Sequence, residues 1–240
     1  MQHSLVIMAK TPVLGRVKTR LARDVGYVEA TRFYRVALAR LIRRLGADPR
    51  WRTIIAASPD TEALPDAPWL QDAHAVVPQG EGDLGDRMQR VFDQAPAGPV
   101  VIIGSDIPDI SRRHVAAAFK ALGSHDAVMG PSVDGGYWLI GQKRLPRVLR
   151  PFEGVTWSSG RERDQTLSNF GEASVAMLEE LTDVDSGADH ARWILKPVVI
   201  GGSNGRWAIE SQHCLHTTDS LAEKNDPVKG GILNNTTNGP

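Results

Sequence analysis

Cysteine is nearly missing from this 240-residue chain: Cys214 is the only one. That excludes an internal disulfide framework and any zinc cage built from thiolates. Long apolar runs are missing too, and none approaches the roughly 18 residues of a membrane-crossing helix. The N-terminal "SLVIMA" is too short for the apolar core of a secretion signal, so a cytoplasmic protein without a membrane span is expected. There is no GxxxxGK[ST] phosphate loop and no G-x-S-x-G nucleophile elbow. The histidines never pair as H-x-x-x-H, which argues against a histidine zinc site. Formal net charge is zero. Basic stretches lack interleaved aromatics, so no nucleic-acid partner is expected.

The charge that is present is unevenly spread. From Lys10 to Arg52 there are 12 Lys or Arg against 3 acids, and from Asp60 to Asp134 there are 12 acids against 5 bases. A basic first segment and an acidic middle suit a site with cations for phosphate oxygens and carboxylates for a divalent ion. The arginines at 32, 35, 40, 43 and 44 read instead as the wet face of a helix.

Short runs that are apolar on both faces read as strands of a largely parallel sheet: "LVIMA", "TIIAAS", "HAVVP", "PVVIIGSD" and "DAVMGP". Helical stripes separate them. One runs from Ala30 to Leu45, one from Leu84 to Ala95, and one follows Ser111 to about Leu122. "GYWLIG" and "ASVAML" add strands, while "ERDQTLSNF" and "SGADHARWIL" add helices. The alternation predicts an α/β fold, a mostly parallel central sheet with helices on both faces. Residues 1–200 form the expected domain, and 201–240 read as a polar tail with too few apolar residues to fold.

In such sheets ligands bind beyond the carboxyl ends of the strands. The basic loop "AKTPVLGRVKTRLA" lies there, with Lys10, Arg16, Lys18 and Arg20 around Pro12 and Gly15. So does "GSDIPD", where Asp106 ends the most apolar strand and can hold a hard cation. Asp109 is either a further site residue or a cap of the next helix. In "TDVDS", Asp183 and Asp185 share one face of an extended segment and offer a second metal ligand, or cap the last helix. Asp134 in "PSVDGGYWLIG" precedes two glycines that permit close approach of a ligand, or simply make a turn. "GEGDLG" matches G-x-G-x-x-G, but Glu81 and Asp83 put negative charge where a pyrophosphate would rest. A dinucleotide-binding reading is therefore kept only as a minor alternative.

Six motifs occur in order over residues 4–195: the basic loop, "QGEGDLGDRM", "IGSDIPD", "GPSVDGGYWLIG", "WSS" and "DVDS". Together they resemble a bacterial family of glycosyltransferase-like proteins in the nucleotide-diphospho-sugar transferase superfamily, with the glycosyltransferase-A fold. They also resemble guanylyltransferases that activate phospholactate. The resemblance implies a Mg²⁺- or Mn²⁺-dependent transferase using a nucleotide or nucleotide-sugar donor and a small-molecule acceptor. Lys10, Gly15, Arg16, Lys18, Arg20, Gly82 and Arg87 would bind the nucleotide. Asp106 and Asp185 would hold the metal, with Asp185 the more exposed. Asp109, Asp134, Gly135, Gly136, Trp157 and Ser158 would face the acceptor, and Asp106, Lys18 and Asp134 would be catalytic. Ser159 and Ser186 stand where the family usually has Thr. Glycosyl transfer is the favoured reading and nucleotidyl transfer the alternative; a non-catalytic nucleotide-sugar binder is a third.

Overall fold

The computed structural model describes residues 2–60, 70, 72–195, 197–201 and 207–211. The chain runs β1 (Ser4–Lys10), α1 (Ala22–Val25), α2 (Tyr27–Gly46), β2 (Arg52–Ser58), β3 (Ala75–Pro78), α3 (Leu84–Gln94) and β4 (Val100–Gly104). It continues through α4 (Arg112–Ala121), β5 (Ala127–Pro131), β6 (Tyr137–Gln142), α5 (Glu162–Asn169), β7 (Val175–Met177) and α6 (Gly187–Leu195). These first seven strands form one sheet in the order β3-β2-β1-β4-β6-β5-β7.

Both faces of the sheet are covered, and β1 shows how. Its side chains alternate: Leu5, Ile7 and Ala9 join a core with α2 and α4, while Val6 and Met8 join another with Met88 and Phe92 of α3. All five are buried. Each fully buried Leu or Ile contributes roughly 1.5–3 kcal/mol of transfer free energy, so two-sided burial is what holds the parallel strands.

Only β6 runs against the others, antiparallel to both β4 and β5. The reason is local. Five residues, Ser132–Gly136, join β5 to β6, and a parallel crossover takes a dozen or more. Inserting the hairpin's second strand beside β4 pushes β5 outward, where β7 pairs with it in parallel. The carboxyl ends of β1, β4 and β5 therefore lie at one end of the sheet.

The chain divides into two compact units, residues 1–190 and 191–240. Within the second, β8 (Pro197–Gly201) and β9 (Trp207–Ser211) pair antiparallel, a pairing that the apolar pattern did not predict. The rest of the expected tail, 202–206 and 212–240, lies outside the described residues. Among the described residues no helix is long and apolar enough to cross a membrane.

Candidate active site

A buried lysine lies at the centre of the strand tips. The Lys18 ammonium lies 2.9 Å from Asp106 Oδ1 and 3.1 Å from Asp185 Oδ1, with only 3% of its side chain exposed. Arg20 reaches the other oxygen of Asp185 at 3.3 Å. Burial alone would depress the Lys18 pKa, but the two carboxylates more than offset it, and the net shift is upward. The Lys18 backbone has φ 46°, a left-handed conformation that costs a non-glycine residue about 1–2 kcal/mol. The paired carboxylates supply what holds it there.

Each carboxylate is positioned by its element. Asp106 follows β4, whose tip is fixed from behind by a buried network. The Tyr34 hydroxyl of α2 lies 3.0 Å from Ser105 Oγ, accepts from the Lys10 amide at 2.9 Å and donates to the Lys10 carbonyl at 3.1 Å. Asp185 arrives on the segment after β7, which continues along β5 through Leu181 N–H to Pro131 C=O at 3.1 Å. The Val184 amide then meets the Asp106 carbonyl at 3.5 Å. Asp189 of α6 closes the turn, accepting from the Ser186 amide at 3.0 Å and hydroxyl at 2.6 Å. The expected exposure order is reversed. Asp106 is the open one at 60% and Asp185 is at 34%, because Asp185 faces inward to Lys18.

Asp183 adds a third carboxylate. Burial and the neighbouring Asp185 push its pKa up to about 6, with a hydrogen bond to Asp185 in the same direction. Asp185 goes the other way: burial works against ionisation, but Lys18 and the bonds it receives hold it below its ordinary value. Among the described residues no group of three or more His, Cys, Asp or Glu has ready-made metal-binding geometry. The donor set still fits a hard divalent ion, being all carboxylate oxygen with a cation already seated between two members.

These groups open onto a cleft of about 420 Å³. Asp134, Gly136, Trp157 and Ser158 line it beside Asp106, Asp185 and Arg20. Asp134 is the hinge of the β5–β6 hairpin, its Oδ1 accepting from Ser132 Oγ at 2.6 Å and the Gly136 amide at 3.0 Å. Gly135 (φ 87°) packs so closely on the Gly160 carbonyl that a Cβ would collide with it. The buried Trp157 indole N–H has no hydrogen-bond partner among the described residues.

Other predicted site residues lie elsewhere. Lys10, Gly15, Arg16, Gly82 and Arg87 are not part of the cleft lining. Gly15 and Arg16 sit on the exposed turn after β1. Arg87 donates to the Gly82 carbonyl at 3.0 Å and so ties its own loop together. Asp109 is exposed outside the cleft, and its charge acts on Arg44 and His114. The sequence reading missed Glu162, Tyr137 and Ser132, which line the cleft. Glu162 accepts from the Ser159 amide at 2.6 Å at the start of α5; nothing in its local pattern distinguishes it from an ordinary helix-start acid.

"GEGDLG" is accounted for by helix capping. Asp83 is the N-cap of α3, accepting from the Asp86 amide at 2.9 Å, while Asp86 accepts from the Asp83 amide at 3.1 Å. The Gly80 amide, which a pyrophosphate would need, already donates to Asp60 at 3.1 Å.

Residues 41–159 match a family described as uncharacterized proteins conserved in bacteria (DUF2064). A protein from Desulfovibrio desulfuricans G20, provisionally assigned as a nucleotide-diphospho-sugar transferase, superposes with a TM-score of 0.75. It is 28% identical, over 92% of this chain and 97% of that one. The chain has the fold of the nucleotide-diphospho-sugar transferase structures it matches. A 2-phospho-L-lactate guanylyltransferase of Methanocaldococcus jannaschii is 27% identical over 153 residues, which are 63% of this chain and 65% of the relative's length. The chain thus spans about two thirds of that curated relative. A 4-diphosphocytidyl-2C-methyl-D-erythritol synthase from Anaerococcus prevotii shares the fold, with a TM-score of 0.54 at 12% identity over 80% of this chain and 95% of that one. Similarity to the guanylyltransferase favours the alternative reading, nucleotidyl transfer, over glycosyl transfer.

Proposed function

We propose that this protein is a nucleotidyltransferase that moves a nucleoside monophosphate from a nucleoside triphosphate to a small acceptor. The observation that carries the reading is the meeting of Asp106 and Asp185 on one buried lysine, in a cleft at the strand tips. Similarity to a guanylyltransferase supports it.

In this reaction an acceptor oxygen forms a bond to the α-phosphorus, and the bond from that phosphorus to the bridging oxygen of the leaving pyrophosphate breaks. Negative charge grows on the pyrophosphate. Asp106 and Asp185 would hold a Mg²⁺ or Mn²⁺ ion, which supplies charge compensation to the phosphate oxygens when bound. Arg20, mostly exposed at 71%, swings at low cost to donate to the phosphates. Lys18 adds a second cation. On the other wall Asp134, which lines the cleft and whose Oδ1 is fixed by Ser132 and Gly136, accepts the proton of an acceptor hydroxyl. Trp157 lines the same wall and supplies an apolar surface for the acceptor.

The test is a product assay with each nucleoside triphosphate, or a nucleotide sugar, together with Mn²⁺ and a panel of phosphorylated and hydroxylated acceptors. Nucleotidyl transfer releases pyrophosphate. Release of nucleoside diphosphate from a nucleotide sugar would instead establish glycosyl transfer, the reading favoured by the name of the Desulfovibrio relative.

A further inference from the structure

The Lys18 ammonium occupies the space between the same two carboxylates that a metal would use. We infer that Lys18 is a resident substitute cation, which a divalent ion must displace and which then turns to the donor's phosphates. This rests on the reading that Asp106 and Asp185 hold the metal.

In the metal-free protein Lys18 bridges Asp106 and Asp185, Arg20 takes the other oxygen of Asp185, and Asp183 stands beside them as a third acid. Two carboxylates brought this close repel each other without a cation between them. A buried ammonium at 2.9 and 3.1 Å removes that repulsion and keeps the site assembled. A divalent ion entering with Lys18 in place would find the space between Asp106 and Asp185 taken and meet a like charge a few ångströms away. Metal alone should therefore bind weakly. Metal with a triphosphate should bind well, because the phosphates take up the displaced ammonium and complete the ion's oxygen shell. Lys18 thereby couples the two ligands, each favouring the other reciprocally. The strained backbone at Lys18, with φ 46°, is consistent with a side chain held by its ion pairs and ready to leave them.

The experiment measures Mn²⁺ affinity without nucleotide, following free Mn²⁺ by electron paramagnetic resonance, in the full chain and in Lys18→Met and Lys18→Arg. Lys18→Met should bind Mn²⁺ about tenfold more tightly than wild type, the scale of an ordinary coupling between sites. Lys18→Arg should stay weak. Lys18→Met should also melt below wild type in EDTA and recover more than wild type on adding Mn²⁺, a rescue that a purely structural lysine would not show. Equal or weaker Mn²⁺ binding in Lys18→Met overturns the inference while leaving the metal reading intact. If Mn²⁺ binds no form, with or without triphosphate, the metal reading falls with it. Should Lys18→Met not fold, acylation of wild-type lysines mapped by mass spectrometry decides. Mn²⁺ raised to saturation, without triphosphate analogue, should speed labelling of Lys18 relative to Lys120, and unchanged or slower labelling at saturation overturns the proposal.

Discussion

Among individual residues, the three aspartates at the strand tips differ in ways that substitutions can expose. Asp106 is mostly in solvent but its partner Lys18 is buried, so Asp106→Asn should cost about 1–3 kcal/mol, as when a buried charged group loses one of its partners. Its effect should also fall on turnover, lowered at least about a hundredfold, as when a transition-state charge loses a preorganised partner. Asp185→Asn should cost more stability than Asp106→Asn, because it weakens partners to both Lys18 and Arg20. Comparing the two urea midpoints checks the order, and equal midpoints would refute it. Asp183 gives a pH signature. Its folded pKa of about 6 lies above the ordinary 3.8, so the folded chain holds the extra proton between those values. Stability from this group is then present at low pH and lost as pH rises through about 6. In EDTA, Asp183→Asn should gain stability relative to wild type as pH rises from 4 to 7. A difference that stays flat with pH would remove the proposed pairing with Asp185.

Elements position these side chains through contacts that can be broken without touching the cleft. Tyr34 links α2 to the tips of β1 and β4 through the Lys10 backbone and Ser105. Tyr34→Phe should destabilise by about 1–3 kcal/mol, since it leaves buried partners unsatisfied. It should also lower turnover by loosening Asp106, which chemical denaturation and steady-state assays together would reveal. Asp83→Ala is the contrasting case. Losing the α3 N-cap should cost about 1 kcal/mol, with donor affinity unchanged. A large loss of nucleotide binding there would return "GEGDLG" to the binding site.

For the molecule as a whole, ligand stabilisation follows from which amides and charges remain open. The Gly80 amide is occupied by Asp60 and the α3 start by its own capping box. NAD(P) should therefore produce no melting shift. A triphosphate with Mn²⁺ should raise the melting temperature by more than either added alone, through mass action on the folded state. A clear shift with a dinucleotide would contradict this account.

Local pattern alone determined most elements and the end of the sheet that matters. Two-sided apolar strands and 3.6-residue stripes are short-range signals, so the strands around Ile7, Ile55 and Ile103 and the long helix through Leu38 were legible, as was Asp106 at a strand tip. What only the tertiary structure decided concerns neighbours distant in sequence. The β5–β6 hairpin inverted one strand because its connection is too short to cross over. Asp185 became the more buried carboxylate because packing of its segment beside Asp106 turned it towards Lys18. The sequence reading took Lys18 as a phosphate-binding and catalytic cation of a basic loop, with nothing in the local pattern to show that it is buried. It is buried between two carboxylates because the fold brings together charges that no local spacing relates, and burying it is tolerable only where both are present.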